Sequence, residues 1–421
     1  MNKRKRVKVF LCERIPSENR GEAAILEGLY NGLKKYFVDF ELIIYSMRKK
    51  QDTYYYQQKG LAEVTGYDYK GAEESGFLVK LSRLYLFFSL VMSSLLKKIG
   101  FTVEFPGEIN SHFYESDILL QGHDNVYRNR IKLKDAVVTF FASSHKKLII
   151  IPGASVGPLD SLVGVHKLIA HYVLKNASLI TLREAYSGQY IAEKFPNIKA
   201  TVLNDLAFML KPQPIDAEFL ASDQIIGFTP TKYVLNNLVE RGNELTPQTA
   251  SKKISEYLDW LQLQWPEMKI LMIPHVYGPE LKQDDRLLID QIVSHCKRTS
   301  NLIVLEEPYT AGELKYIISK LRYLVACRTH SLIAALAEGV PVLALTDKGR
   351  YKTNGILGEI FNLPELLFYV ENWDLDELKA LTKHVNNNVL ELGNKVAKSI
   401  PISKDLADKN IELIKRLWDE T

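Results

Sequence analysis

Two patterns alternate along this chain: short apolar runs bounded by polar or glycine residues, and longer stretches with apolar residues three and four apart. In the first half the short runs predict strands over 7–12, 40–45, 117–120, 148–151 and 179–182, with a last short one at 202–203. Residues 20–36 have helical spacing, with Ala24, Leu26, Leu29, Leu33 and Tyr36 on or near one face. The prolines of Lys211-Pro212-Gln213-Pro214 then break the pattern. A second series follows, with strands over 225–229, 269–274, 302–306, 323–327 and 341–345. Helical runs lie over 246–263, 284–297, 312–321, 331–338, 374–392 and 404–418. Such alternation predicts mainly parallel sheets covered by helices on both faces.

The plan occurs twice, so the expected fold class is α/β, with two Rossmann-like domains facing a cleft. The domains expected are 1–211 and 212–398, an architecture shared by many group transferases, in which the first would be the acceptor side and the second the donor side. A last helix over 399–421 is one that such architectures often send back to the first domain. At 421 residues the chain is long for one ordinary core, which agrees with two domains.

An insertion, 47–116, separates the second and third strands. Its first part is rich in tyrosine, and 77–96 is the most apolar region of the chain. No residue between Arg83 and Lys97 is charged. The run is shorter than the roughly 20 residues that a membrane span needs. Two readings stay open: a core or domain-interface helix, or a helix lying on a membrane surface with Lys80, Arg83, Lys97 and Lys98 against headgroups. The second would make 77–98 a peripheral membrane contact.

Composition adds little: 46% hydrophobic and 25% charged residues are ordinary for a globular protein. The net charge of +4 is too slight to argue for nucleic acid, though it suits anionic ligands. Cys12, Cys296 and Cys327 show no metal or disulfide spacing, which points to a reducing compartment. The basic start, MNKRKRVKVF, is not followed by a long apolar stretch and does not read as a signal peptide. The location expected is cytoplasmic.

The chemistry concentrates at 323–344. A strand run ends at Cys327, Arg328-Thr329-His330 follows at once, a helix begins near Ser331, and Gly339 precedes the next strand. Ligands of open α/β sheets bind outside the carboxyl ends of the strands. A fixed cation, a titratable imidazole and a helix N-terminus suited to an anion would therefore share one small volume.

Six patches in order resemble the polysaccharide pyruvyl transferase family. They are Asn19-Arg20-Gly21-Glu22-Ala23-Ala24; Pro152-Gly153-Ala154-Ser155-Val156-Gly157-Pro158; Thr181-Leu182-Arg183-Glu184-Ala185-Tyr186-Ser187; Asn204-Asp205-Leu206-Ala207; Ile273-Pro274-His275; and Arg328-Thr329-His330-Ser331 through Gly339-Val340-Pro341, followed by Lys352. Two departures stand out. Glu22 occupies a place where the family often has aspartate, and the spacing after Pro341 leaves Lys348 or Arg350 as alternatives to Lys352.

The resemblance implies a glycosyltransferase-B-like fold and transfer of a pyruvyl unit from phosphoenolpyruvate to two sugar hydroxyls, forming a pyruvate ketal. Phosphoenolpyruvate would be a co-substrate, with no cofactor and no metal. The acceptor would be a sugar, carried on a lipid during polysaccharide assembly, which would place the enzyme at the inner membrane face. Arg183, Arg328 and Lys352, with Ser331, would hold the donor's carboxylate and phosphate. His330 would serve as general acid or base. Asn19, Gly21, Glu22, Gly153, Gly157, Asp205, His275 and His123 are further candidates. Plainer roles compete for several of these. Arg183 can pair with Glu184, Asp205 can cap a turn, His275 can be a core histidine, and the two glycines can serve backbone conformation. A nucleotide-sugar glycosyltransferase is the alternative activity, with Glu306 or Glu307 on a ribose, and a non-catalytic carbohydrate-binding or membrane-associated scaffold is a third reading.

Overall fold

The computed structural model describes residues 6–57, 59–68, 77–122, 124, 127, 131–159, 164–222, 224–278 and 283–421, residues 77–79 by their backbone alone. The chain forms two compact units. One comprises Met1–Ser17, Ile25–Met209 and Leu406–Thr421; the other comprises Glu18–Ala24 and Leu210–Asp405.

In the first unit, β1 (Val7–Leu11) leads to α1 (Arg20–Tyr36), whose first turn belongs to the second unit. β2 (Phe40–Ser46), α2 (Lys49–Asp52), β3 (Glu63–Gly66), α3 (Phe77–Lys98) and α4 (Glu108–Glu115) follow. Then come β4 (Ile118–Leu120), α5 (Leu133–Ser144), β5 (Leu148–Ala154), α6 (Val165–Asn176), β6 (Leu179–Leu182), α7 (Ala185–Lys194) and β7 (Thr201–Val202). The strands are parallel and lie in the order β3-β2-β1-β4-β5-β6-β7. β1 is central, with Val9 opposite both Leu42 and Ile118. Side chains alternate between the sheet's faces. Phe10, Ile43, Leu119 and Ile149 pack with Leu90 of α3, Phe113 of α4 and Phe141 of α5. A second cluster joins Ile151 and Ile180 to Leu174 of α6 and Ile191 of α7. Each such buried side chain contributes about 1.5–3 kcal/mol.

The second unit runs from β8 (Ile225–Thr229) through α8 (Lys232–Leu235), a small hairpin of β9 (Val239–Glu240) and β10 (Asn243–Glu244), and α9 (Pro247–Gln264). It continues with β11 (Lys269–Met272), α10 (Asp285–Val293), β12 (Leu302–Val304), α11 (Ala311–Ser319), β13 (Tyr323–Ala326) and α12 (Thr329–Ala337). β14 (Val342–Thr346), α13 (Tyr351–Thr353), β15 (Leu367–Tyr369), α14 (Leu375–Asn387) and α15 (Val389–Asp419) complete it, the end of α15 returning to the first unit. Its parallel strands lie in the order β12-β11-β8-β13-β14-β15. Both sheets thus start in the middle, build to one edge, and resume on the other side of the starting strand. The switch points, where ligands of such sheets bind, lie between β1 and β4 and between β8 and β13.

Three features differ from the sequence reading. The insertion is partly sheet, since β3 extends the edge beside β2. The last two helical runs divide differently from expectation: α14 stops at Asn387, and α15 begins at Val389 and passes straight through Pro401. Proline removes one backbone hydrogen bond, but Leu392, Val396, Ala407, Ile411 and Ile414 are buried along the helix and outweigh that loss. Finally, α3 is half core and half surface: Leu90 is buried, whereas Leu84 and Phe88 are exposed.

Candidate functional site

The parallel register of the second unit puts the ends of β8, β11, β13 and β14 at one edge. Thr229 closes β8, His275 follows β11, Arg328 follows β13, and Asp347 follows β14. Arg328 is extended and precedes the first turn of α12, so its side chain and the helix N-terminus share a location. All nine residues of α12 are buried, which fixes that terminus firmly. Ser331 is used structurally: its hydroxyl donates to the Arg328 carbonyl (2.8 Å) and bonds with Thr229 (2.7 Å). Ser331, expected at the donor, thus also shapes the turn.

Arg328 pairs with Asp285 in the first turn of α10. Asp285 also accepts from the backbone amides of His275 (3.0 Å) and Val276 (2.9 Å). Burial pushes its carboxyl above the ordinary value, while Arg328 and those amides pull it back. One carboxylate thus orients the arginine, and the buried Nε of Arg328 has no partner among the described residues. His275 is buried, with neither ring nitrogen partnered among the described residues. Burial holds its pKa well below the ordinary value, helped by His330, Arg328 and Arg20. It is a neutral imidazole. His330, on the first turn of α12, is 9% exposed.

The first sequence patch belongs here, far away in sequence. Asn19 bridges Val276, the Arg20 amide donates to the His275 carbonyl (3.0 Å), and the Tyr277 amide donates to Glu18 (2.9 Å). Asn19 caps α1, accepting from the Gly21 amide (3.1 Å), and its own amide donates to Glu22 (2.8 Å). Gly21 lies against the His330 ring, where a β-carbon would stand 2.3 Å from Nδ1. Only glycine fits, so Gly21 sets the seat of the imidazole. Arg20 donates to the carbonyls of Tyr309 (2.6 Å) and Pro308 (3.1 Å) and stacks over Tyr277 (4.9 Å). Arg20 and Asp285 were not among the sequence candidates: the first carried no role in its motif, and the second read as a helix start. Thr353 bonds with Thr329 (2.8 Å), bringing α13 and its half-buried Lys352 to the α12 N-terminus. Of the alternatives to Lys352, Arg350 is held by Asp347 (2.7 Å) and Lys348 is exposed.

The first unit treats its motif residues differently. Arg183 has no exposed surface. It pairs with Asp205 and Asp124, each at 2.7 Å, lies 3.5 Å from Glu184, and donates to the Ser155 hydroxyl (2.8 Å). Burial works against its charge, but the three carboxylates outweigh it and hold the proton more tightly than usual. Arg183, expected to hold the donor, is the centre of an ionic network, and its Nη2, although 2.7 Å from Asp124, has no hydrogen-bond partner among the described residues. Asp205 is part of that network and also accepts from the Ala207 amide (2.9 Å). Gly153 and Gly157 have φ of 54° and 91°. A β-carbon at Gly157 would stand 2.5 Å from the Tyr190 ring, and one at Gly153 would press on the Asn204 carbonyl at 3.3 Å. Backbone conformation and packing each call for glycine at both positions. His123 lies outside the described residues.

At this unit's switch point a carboxyl pair was missed by the sequence reading. Glu13, after β1, pairs with Lys134 (2.6 Å) and hydrogen-bonds with Asp135 at the start of α5. Burial, then the Glu13 charge, pushes the Asp135 carboxyl up to about 7. Burial also opposes the Glu13 charge, but Lys134 outweighs it and leaves Glu13 below its ordinary value. Asp135 carries the pair's proton.

Two Rossmann-like units of this kind define a GT-B-like α/β class. Among solved structures the chain resembles UDP-GlcNAc 2-epimerase of Neisseria meningitidis bound to UDP-GlcNAc, with a TM-score of 0.58, 13% identity, and 99% of this chain and 100% of that one covered. It likewise resembles UDP-GlcNAc 2-epimerase of Methanocaldococcus jannaschii, with a TM-score of 0.55, 12% identity, and 91% and 93% covered. At such identity the likeness is one of fold. The family is given by the sequence model of polysaccharide pyruvyl transferases, which matches residues 19–349; the chain belongs to that family. It is also 19% identical over 438 residues to the amylovoran biosynthesis protein AmsJ of Erwinia amylovora, covering 96% of this chain and 98% of that protein. The protein is accordingly a polysaccharide pyruvyl transferase by family, with a relative named for amylovoran biosynthesis. Among the described residues no helix is long and apolar enough to cross a membrane.

Proposed function

We propose that the protein transfers a pyruvyl unit from phosphoenolpyruvate to two hydroxyls of a lipid-carried sugar, giving a pyruvate ketal and phosphate. The observation that carries this reading is Arg328, oriented by a single carboxylate and placed with His330 at the N-terminus of α12. Phosphoenolpyruvate presents a carboxylate and a phosphate, and a guanidinium beside helix amides suits either group. Lys352 supplies a second cation, and the neutral His275 a hydrogen-bond donor.

In the reaction the methylene carbon gains a proton, and the first sugar hydroxyl adds to the central carbon with loss of its own proton. Phosphate leaves with the C–O bond electrons, and the second hydroxyl then adds and loses its proton. Two hydroxyl protons are released; one equals that taken by the methyl group, and the other leaves with phosphate. His330 moves protons at the methylene carbon or at an attacking hydroxyl.

The test is incubation with phosphoenolpyruvate and a panel of sugar acceptors, following phosphate release and product mass together. Equimolar phosphate and a product heavier by one pyruvyl ketal are expected. Turnover with a nucleotide sugar, and none with phosphoenolpyruvate, would overturn the reading. The carboxylates proposed for a ribose, Glu306 and Glu307, follow the edge strand β12, two strands away from the starting side of the switch point. The loop they begin nevertheless returns to Arg20 through the Pro308 and Tyr309 carbonyls, so the donor test, and not placement, separates the two activities.

A further inference from the structure

α3 is apolar on both faces: inward, Leu86, Phe87, Leu90 and Val91 pack on the core. Its inward face carries Ser89, Ser93 and Ser94, all 0% exposed, with Leu90. Their hydroxyls are satisfied inside the protein: Ser93 donates to the Val103 carbonyl (2.8 Å), Ser94 to the Leu90 carbonyl (2.6 Å), and Ser89 bonds with Asn110 (3.0 Å). The outward face carries Leu81, Leu84, Tyr85, Phe88 and Leu95, at the spacing of one helical stripe. Ile99 and Phe101 prolong it beyond the last turn. Leu84 is 64% exposed, Phe88 54%, Ile99 70% and Phe101 63%. So long an apolar stripe on the surface marks an interaction site.

Its charge identifies the partner. Lys80 and Arg83 stand at one end and Lys97 and Lys98 at the other, and α3 has no acidic residue. Lys97 reaches Thr102 and Lys98 lies over the Phe140 ring, both at the stripe's margin. Two copies of this face packed together would bring eight like charges into one interface. An anionic surface neutralises them instead, and an apolar stripe with basic ends is the composition of a helix lying in a bilayer interface.

We propose that the outer face of α3 docks the protein on an anionic lipid bilayer, with Leu84, Phe88 and Leu95 inserted among acyl chains and the four basic side chains at headgroups. The inference stands on surface geometry and does not depend on the donor chemistry.

Cosedimentation of the full-length protein with phosphatidylcholine vesicles, with and without phosphatidylglycerol, tests it. Binding to the anionic vesicles, weakened by salt, is expected, with little binding to neutral ones. The double substitution Leu84→Glu with Phe88→Glu should lower binding about tenfold or more while leaving the melting temperature nearly unchanged, because both positions are already exposed. Reversal of Lys97 and Lys98 to glutamate should lower affinity and flatten the salt dependence. Wild-type protein remaining in the supernatant at low salt would overturn the proposal. So would unaltered binding by the double variant, or a dimer that this variant dissociates in the absence of lipid.

Discussion

The two sheets share one strand order but differ in what stands at their carboxyl ends. In the first unit Arg183 is fully buried among Asp124, Asp205 and Glu184. In the second, Arg328 has one carboxylate, Asp285, and a buried Nε without a partner among the described residues. Each arginine buries one guanidinium nitrogen without a hydrogen-bond partner among the described residues, so the same residue type, at the same kind of position after a strand, differs in the carboxylates it faces: three in one unit and one in the other. A motif arginine is therefore not by itself a binding arginine; the number of carboxylates already facing it decides.

That contrast can be broken most severely at Arg183. Arg183→Ala leaves three acidic side chains facing one another in a buried place, and loss of one partner from such a network costs about 3–5 kcal/mol. Denaturant or thermal unfolding should show a strongly destabilised first unit. A variant that melts like wild type yet no longer binds phosphoenolpyruvate would return Arg183 to the donor site. On the other side of the contrast, His330→Ala should keep the fold and most donor affinity while turnover falls about 10²–10⁴-fold, the usual weight of a proton transfer. Gly21→Ala probes the same imidazole from behind. Its new methyl group must move the ring, and a displacement of that size costs about a hundredfold in turnover. Kinetics should show the loss mainly in kcat, and unchanged kcat would mean that Gly21 does not seat His330.

Much of the fold was legible because its central strands are continuous apolar runs, as in Ile225–Thr229 and Tyr323–Ala326. β3 was not, since Glu-Val-Thr-Gly carries no such run and owes its place to pairing with β2. The continuity of α15 through Pro401 was not legible either, because local sequence does not show how much apolar surface a helix buries on either side of a proline. Periodicity likewise could not orient α3 against α12. Both are strongly apolar, yet one is wholly buried and the other turns its serines inward. Within the site, Arg328 and His330 were visible as a strand-to-helix turn. Arg20 was not, because its partners Tyr309 and Pro308 lie 289 and 288 residues away. Asp285 was hidden for a similar reason, 43 residues from the arginine it orients.

The smallest effect separates the units by pH. Asp135 has its carboxyl raised from the ordinary 3.8 to about 7, so the native first unit binds a proton there that the unfolded chain releases. Its contribution to stability is full below the ordinary carboxylate range and is lost as pH rises toward and through about 7. Glu13, held below its ordinary value, contributes in the opposite sense and is lost only at more acidic pH. Melting temperatures taken from mildly acidic to mildly alkaline pH should fall in wild type and fall less in Asp135→Asn. An identical pH dependence in the two proteins would show that Asp135 is not the proton carrier.

The central claim is that the carboxyl end of the second sheet holds the donor through Arg328, and calorimetric titration with phosphoenolpyruvate tests it directly. Wild type should bind, and folded Arg328→Ala should bind more weakly by about 1.5–3 kcal/mol, the value of a charge-assisted contact and roughly ten- to hundredfold in Kd. An Arg328→Ala protein that titrates phosphoenolpyruvate like wild type would contradict the account.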